Sequence, residues 1–192
     1  YGLSEKSGIE ITESEPQVSD QDSVRSAIGQ GNHAYTTVQL ARYVNSVANQ
    51  GVCYNISLLD KLVDPSGRLL EDYSPTVRNN INVASSTWTS VHNGMRAAVA
   101  GYDCFEDFPL ITAGKTGTAQ QVTTRPNHAL FIGFAPFDSP EIAIATRIAY
   151  GYTSSNAAEV SRDIYKYYFG LESEEELITG HAVLPDSAAI GD

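Results

Sequence analysis

The strongest constraint on the fold is a run of three apolar segments, joined by short connections, in the second half of the chain. In Glu141–Ala149, bulky and mostly small side chains alternate with period two, which predicts a strand with one bulky and one small-residue face. Leu110–Val122 and Ala129–Ala135 are also predicted to be strands, separated by turns at Pro126 and Pro136. Because connections this short cannot carry a parallel crossover, the sequence predicts an antiparallel meander.

Three amphipathic helices are predicted beside this meander. The first spans Thr37–Gln50, after a T-x-x-Q capping box that opens at Thr36. The second spans Ser86–Ala100, and the third spans Ala157–Phe169 with Asn156 as its N-cap. The apolar face predicted for the third helix consists of Val160, Ile164, Tyr167 and Tyr168. Helices are expected to pack on the small-residue face of the sheet, so the fold class is α+β, an antiparallel sheet flanked by helices.

The rest of the chain is predicted to be an opening loop, a surface hairpin and an acidic tail. Tyr1–Asp22 is polar, with one short extended piece at Gly8–Thr12. Ile56–Val63 and Arg68–Tyr73 flank an Asp-Pro-Ser-Gly sequence that fits a type I turn, which predicts a hairpin. Residues 171–192 carry four glutamates and are predicted to be a solvated acidic tail.

Composition excludes several functional classes. The 192 residues carry 12 Lys and Arg against 23 Asp and Glu, and the net charge of −11 argues against nucleic-acid binding. No apolar stretch approaches the about 20 residues that cross a bilayer. The scattered cysteines and histidines lack metal-ligand spacing, so no metal or cofactor is predicted. Two separate thiols are favoured over a disulfide between Cys53 and Cys104.

The sequence Lys115-Thr116-Gly117-Thr118 lies inside the first predicted strand of the meander. A glycine in mid-strand weakens the strand unless another group must approach the backbone closely. Here the glycine lies between two hydroxyl residues that point to the same side, and a cation is next to them. Such a strand edge is suited to bind a carboxylate and to offer a free N–H group to an oxyanion.

The K-T-G motif is characteristic of penicillin-binding proteins and serine β-lactamases. Further segments resemble class B penicillin-binding proteins, and most closely their elongation-type group, in the same order along the chain. These segments are Ala27–Gly31, Thr36–Ala41, Val47–Gly51, Gly94-Met95, Ala119-Gln120, His128–Pro136 and Pro140–Ala143. The resemblance covers Tyr1 to Gly170, and it implies part of the transpeptidase fold shared by penicillin-binding proteins and serine β-lactamases.

Two motifs of this family are absent from their expected places. No lysine is preceded three residues earlier by a serine, so the chain has no S-x-x-K motif and lacks the nucleophile. Ser154-Ser155-Asn156 matches S-x-N, but it follows K-T-G instead of preceding it, and Asn156 is already explained as a helix cap. Tyr43-Val44-Asn45 mimics Y-x-N in mid-helix. The resemblance therefore implies the C-terminal part of a transpeptidase domain, predicted to be inactive alone.

The resemblance implies a reaction and roles for the motif residues. The family's serine attacks the penultimate D-Ala carbonyl of a peptidoglycan stem peptide, and β-lactams acylate the same serine. Lys115 is then expected to be catalytic, beside the S-x-N serine. Thr116 and Thr118 are expected to bind the terminal carboxylate, and Gly117 to let the substrate lie along the strand. The Thr118 N–H group is expected to serve as one oxyanion donor.

The resemblance also implies a setting and leaves alternatives open. The parent protein is expected to be anchored in the bacterial cell membrane by one N-terminal segment, with this domain outside the cytoplasm. Its expected partners are the stem peptide, β-lactams and the missing N-terminal part of the same domain, with residues 1–170 forming the C-terminal portion. Alternative functions are a penicillin-binding sensor domain and a serine β-lactamase. Gln30, Gln120 and His128 are either site-edge residues or parts of the structural surface.

Overall fold

The structure, a computed structural model, describes residues 1–19 and 23–178. The helices are α1 (Ser23–Ser26), α2 (Thr37–Ala48), α3 (Ser85–Val99), α4 (Ser154–Tyr168) and α5 (Glu174–Leu177). The strands are β1 (Val52–Tyr54), β2 (Lys61–Val63), β3 (Leu69–Asp72), β4 (Val77–Asn80), β5 (Ala113–Ala119), β6 (His128–Ala135) and β7 (Ile142–Ile148). The predicted meander, three main helices and hairpin are confirmed.

The meander is a three-stranded antiparallel sheet in the order β5-β6-β7. Lys115 is opposite Ile132, and Phe131 is opposite both Thr116 and Thr146. The pairing is regular along both interfaces, so each strand keeps its period-two division of side chains between the two faces. Strand β5, which carries the K-T-G-T sequence, pairs with β6 along one side and forms an edge of this sheet.

Helix α4 covers the bulky face of the sheet. Ala157, Ala158 and Tyr165 of this helix are fully buried against the Phe131 and Ile144 side chains. The predicted apolar face of α4 is wrong, because Val160, Ile164, Tyr167 and Tyr168 are each more than two-fifths exposed. Small residues line the contact because the large side chains of β6 and β7 already fill the space between sheet and helix.

Helix α2 covers the opposite, small-residue face, as predicted. Val44 and Ala48 pack on Ala113, Phe134 and the partly buried Ala143. The T-x-x-Q capping box is present: the Gln39 N–H donates to Thr36 Oγ1, and the Thr36 N–H donates to Gln39 Oε1. Helix α3 lies beside α2, and its buried His92 ring lies 5.0 Å from the Phe134 ring. The sheet is thus enclosed on both faces.

A buried arginine fixes the opening loop to α2. Arg42 is 1% exposed, and its guanidinium donates to the backbone carbonyls of Gly2, Glu5 and Ser7. Gly2 has φ +70, and a Cβ there would lie 2.5 Å from Arg42 Nη2, so the contact requires glycine. The Glu13 carboxylate accepts from Ser7 Oγ at 2.7 Å. These contacts hold residues 2–13 in place as a loop. The short extended piece predicted at Gly8–Thr12 is therefore not formed.

Helix α4 begins at a different cap residue from the one predicted. Helix α4 is capped by Thr153, whose hydroxyl accepts from the Ser155 N–H, and not by Asn156. Asn156 lies inside the helix and donates to the Gly151 carbonyl at 2.7 Å. Within the tail, Ser173 caps the short helix α5, and residues 179–192 lie outside the described residues. Cys53 and Cys104 are both free thiols.

We expect Arg42→Met to lower the free energy of unfolding by about 3 kcal/mol, because it leaves buried backbone carbonyls without donors. Chemical denaturation of the wild-type and variant proteins measures the difference. The matched control is Arg68→Met on the hairpin, where the side chain is 76% exposed and a change within about 0.5 kcal/mol is expected. Equal effects of the two substitutions would show that Arg42 does not fix the opening loop.

Candidate functional site

Strand β5 places the K-T-G-T side chains on opposite faces of the sheet. Lys115 and Gly117 lie on the α2 face, in register with Ile132 and Leu130. Thr116 and Thr118 lie on the α4 face, so the two hydroxyl groups share a side, as predicted. Lys115 is exposed and Thr116 is buried, whereas Gly117 and Thr118 are half-buried. The strand therefore separates its cation from its two hydroxyl groups.

The backbone of β5 presents polar groups along the edge that does not pair with β6, which we name the outer edge. The Thr116 carbonyl accepts from Lys115 Nζ at 2.8 Å, and the Thr118 carbonyl accepts from Gln30 Nε2 at 3.3 Å. Both donors are side chains outside the β-ladder, so these carbonyls point away from β6. In an antiparallel strand the N–H and C=O groups of one residue point to the same edge. The Thr118 N–H group therefore also faces the outer edge.

Lys115 lies in a groove between α2, α3 and the sheet, which we name the Lys115 groove. The groove has a volume of about 280 Å³ and is lined by Tyr43, Val47, Ser90, Val91, Gly94, Met95, Lys115 and Ile132. The Tyr1 ring packs edge-on against Tyr43 with centroids 5.0 Å apart. The opening of the described chain thus lies at the wall of the groove that holds the K-T-G lysine.

The Thr116 hydroxyl is already engaged inside the protein. It shares a hydrogen bond with the hydroxyl of Tyr102, which follows α3. Thr116 is only 8% exposed, so water has little access to this hydrogen bond. Sequence reasoning missed Tyr102, because its place between α3 and a 3₁₀ turn at Asp103–Phe105 follows no periodic pattern.

A glycine-flanked loop meets the outer edge of β5. Gly29 and Gly31 have φ values of +78 and +117, which only glycine adopts readily, and they place Gln30 against the Thr118 carbonyl. A cavity of about 610 Å³ lies between this loop and the segment after β5. Its lining residues are Arg25, Ile28, Gln30, Gly31, Asn32, Gln120, Gln121, Val122 and Thr123. Gln30 and Gln120 thus both lie next to the K-T-G-T strand.

His128 fastens the segment that follows β5. The ring is buried; Nδ1 accepts from the Tyr150 N–H at 3.0 Å, so the proton is assigned to Nε2, which faces Gln121 Oε1 at 2.9 Å. Burial is the main cause that lowers the pKa of His128 below its usual value, and the positive charge of Arg147 is the second cause. The neutral imidazole therefore ties the end of the cavity wall to the β7–α4 connection, and it is a structural residue in this arrangement.

Of the other motif candidates, Ser154-Ser155-Asn156 lies away from the Lys115 groove, whereas Tyr43 of Tyr43-Val44-Asn45 lines it. Ser154 and Ser155 form the first turn of α4, on the opposite side of the sheet from Lys115. In Tyr43-Val44-Asn45, Val44 is fully buried in the core under α2. No group of three acidic, histidine or cysteine side chains among residues 1–19 and 23–178 is arranged to hold a metal ion. In the same residues, no helix is long and apolar enough to span a bilayer.

A family model, the penicillin-binding protein transpeptidase domain, matches residues 1–166. This match covers most of the chain. The chain belongs to the penicillin-binding protein transpeptidase family. The class B, elongation-type resemblance read from the sequence is confirmed, because relatives named penicillin-binding protein 2B and MrdA match over most of the chain.

The individual relatives agree in sequence and in fold. Penicillin-binding protein 2B of Streptococcus pneumoniae is 27% identical over 190 residues, covering 88% of this chain and 28% of that protein. Its solved structure from strain R6 matches with a TM-score of 0.76 and 26% identity, over 91% of this chain and 32% of that one. The peptidoglycan D,D-transpeptidase MrdA of Haemophilus influenzae is 30% identical, over 77% of this chain and 26% of that protein.

Acyl-enzyme complexes with β-lactams are among the matching structures. Penicillin-binding protein A of Mycobacterium tuberculosis, solved as its imipenem acyl-enzyme, matches with a TM-score of 0.69 and 25% identity, over 76% of this chain and 33% of that chain. In each of these comparisons the chain spans less than a third, or close to a third, of the relative's length. The comparisons therefore place this chain in one part of a longer family architecture.

We expect stability to fall as pH is lowered through the range in which histidine titrates, and His128 to account for part of the loss. Its pKa is lower in the folded protein than in the unfolded chain, so the stabilisation is present above the unfolded value, near 6.5, and is lost as pH falls through the folded value. Denaturation of the wild-type protein and His128→Gln between pH 8 and pH 5 measures it.

The stability difference between wild type and His128→Gln should shrink toward pH 5, because the variant has no imidazole to protonate at this position. A pH-independent difference for His128→Gln would contradict the neutral, hydrogen-bonded imidazole.

Proposed function

We propose that this chain is the K-T-G-containing part of a peptidoglycan D,D-transpeptidase that cross-links stem peptides by serine acyl transfer and binds penicillin. The observation that carries the proposal is the outer edge of β5, where the Thr118 N–H group, Lys115 and the two threonine hydroxyls lie within one short stretch of strand. Family membership and the acyl-enzyme form of a related protein support it.

The nucleophile is proposed to come from outside residues 1–192, since no S-x-x-K sequence occurs in them. In the first half-reaction the serine Oγ attacks the carbonyl of the penultimate D-Ala, the serine proton passes to the departing amine, and D-Ala leaves. In the second, an amine of a neighbouring stem peptide attacks the ester carbonyl and the serine is released. A β-lactam follows only the first half-reaction, because its ring opens while the leaving group stays attached.

The outer edge of β5 is proposed to stabilise the tetrahedral intermediate. The Thr118 N–H group would donate to the developing oxyanion, and the serine's own N–H group would be the second donor. One such donor typically contributes about 3 kcal/mol to lowering the barrier. Lys115 would place positive charge beside the S-x-N serine and assist proton transfer.

Thr116 and Thr118 are proposed to bind the terminal carboxylate of D-Ala-D-Ala or of penicillin. The open space over Gly117, on the other face of the strand from these hydroxyl groups, supports a ligand that lies along β5. A Cβ built on Gly117 would meet Leu130 Cβ at 3.7 Å, an ordinary contact, so packing inside the chain does not require glycine there. A ligand lying along the strand would explain the missing side chain. Gln30 and Gln120 are proposed to border this ligand.

The cellular location and the missing parts of the protein are proposed from family membership alone. We propose a parent protein held in the bacterial cell membrane by one N-terminal segment, with the transpeptidase domain on the extracytoplasmic side where peptidoglycan lies. The N-terminal part of the same domain would complete the Lys115 groove. Residues 1–170 would be the C-terminal portion of this domain, and residues 171–192 an acidic tail.

We expect Gly117→Ala to raise the free energy of unfolding by about 0.5 to 1 kcal/mol and yet to slow penicillin acylation of the full-length protein at least about tenfold. The methyl group suits the strand but displaces the ligand. Denaturation and the acylation rate with a fluorescent penicillin measure the two effects. In the control, Gly114→Ala, the new Cβ would lie 2.4 Å from Phe131 Cζ, so this variant should lose stability. Unchanged acylation in Gly117→Ala would refute the ligand position.

We expect Lys115→Ala to slow acylation of the full-length protein by about 100-fold or more, because the charge beside the proton-transferring serine is removed. The rate constant of covalent labelling by a fluorescent penicillin measures this. Lys61→Ala on the exposed hairpin is the control and should label at the wild-type rate. Residues 1–192 alone should form no stable stoichiometric adduct. Wild-type labelling of Lys115→Ala, or an adduct on the isolated chain, would contradict the proposed roles.

A further inference from the structure

We propose that Tyr102 is a positioning residue of the carboxylate site, which donates its phenolic proton to Thr116 Oγ1 and so directs the Thr116 hydroxyl proton toward the ligand. This inference rests on the proposed function, because it assumes that Thr116 binds a carboxylate. The observation behind it is the hydrogen bond between the two hydroxyl groups, which joins the K-T-G-T strand to a residue outside the motif.

Tyr102 is held firmly enough to orient a neighbour. Its N–H group donates to the Val99 carbonyl at 3.0 Å, and its own carbonyl accepts from the Phe105 N–H at 2.9 Å. The ring packs against the core cluster that includes Val99 and Phe105. Both ends of the residue are therefore fixed, by backbone hydrogen bonds at one end and the shared hydroxyl contact at the other.

The number of hydroxyl protons in the pair determines whether one proton remains to be donated to a ligand. Each hydroxyl group has one proton to donate, and the shared hydrogen bond uses one of the two protons. A phenol O–H group is a stronger hydrogen-bond donor than the O–H group of an aliphatic alcohol, because the ring withdraws electrons from the oxygen. Tyr102 therefore donates and Thr116 accepts. The Thr116 proton is then left free for an acceptor, and a carboxylate is the strongest acceptor expected at this site.

Thr116 has few other ways to fix its proton. Its side chain is β-branched, which restricts χ1, and it is 8% exposed, so little water is available to reorient the hydroxyl. Without the phenol, the Thr116 hydroxyl would lose its donor, and its proton would no longer be directed outward. The predicted consequence is weaker binding of the carboxylate. The acylation step is expected to be unaffected, because Lys115, which assists proton transfer, lies on the other face of β5.

The test is Tyr102→Phe in the full-length protein, with penicillin G as the probe. Rapid-mixing kinetics separate the dissociation constant of the first, noncovalent complex from the rate constant of acylation. We expect the dissociation constant to rise about fivefold, the typical effect of one hydrogen bond, and the acylation rate constant to stay unchanged. The methyl ester of penicillin G, which lacks the negative charge, should show a much smaller change.

Two further variants separate orientation from general disturbance. Tyr167→Phe removes another phenol, one that is 60% exposed on α4 and away from the β5 edge, and should keep wild-type values. Thr116→Val removes the same hydrogen bond from its other end. Because the two residues act as one unit, the double variant Tyr102→Phe/Thr116→Val should bind penicillin G no more weakly than Thr116→Val alone.

The possible outcomes discriminate between the two levels of the proposal. Wild-type binding by Tyr102→Phe, equal losses for penicillin G and its ester, additive effects in the double variant, or a change confined to the acylation rate would each overturn the role of Tyr102 and leave the proposed function standing. Failure of the wild-type protein to be acylated would overturn the proposed function itself, and with it this inference.

Discussion

The candidate site depends on one pairing in the sheet, that of β5 with β6. Because this ladder satisfies only one side of β5, the K-T-G-T backbone is held straight and its other side remains available for hydrogen bonds. Edge strands with free polar groups readily add a further strand, which in many proteins leads to aggregation. Here the glutamine side chain of the Gly29–Gly31 loop contacts part of that edge, and the rest suits an extended peptide.

The two faces of β5 separate two kinds of chemistry. The α2 face holds Lys115 in a mostly apolar groove, and the α4 face holds Thr116 against Tyr102. Helices on both sides fix the sheet, since α4 buries Tyr165 and α2 buries Val44 in separate clusters. Strand β5 therefore holds its cation and its hydroxyl pair apart, on opposite faces of the sheet.

Periodic elements were predictable from the sequence, and contacts between distant residues were not. The alternation in Glu141–Ala149 and the capping box at Thr36 are local patterns, and both predicted elements formed. The sheet of β1 and β4 was missed, because its strands have only three and four residues and are separated by residues 55–76, which include a hairpin. Thr153 replaced Asn156 as the cap because the run Thr-Ser-Ser-Asn offers four suitable residues.

In the candidate site too, the local motif was predictable from the sequence, and some contacts between distant residues were not. The K-T-G-T residues were found from the motif and Gln30 was named as a candidate from the resemblance, whereas Tyr102 and the buried Arg42 were placed by tertiary contacts that no local pattern reports. Arg42 lies in α2 among apolar residues, and only the structure shows that the backbone carbonyls of the opening loop surround it. A polar residue on a helix face is usually assigned to the solvent, so its burial here could not be predicted.

The most direct test of the account is a crystal structure of the complete transpeptidase domain after reaction with penicillin G. The account predicts a serine ester whose carbonyl oxygen lies about 2.7–3.1 Å from the Thr118 nitrogen. The ligand carboxylate should contact the hydroxyl groups of Thr116 and Thr118 at the outer edge of β5. An acyl group whose carbonyl points away from this edge, or a carboxylate held elsewhere, would contradict the central claim.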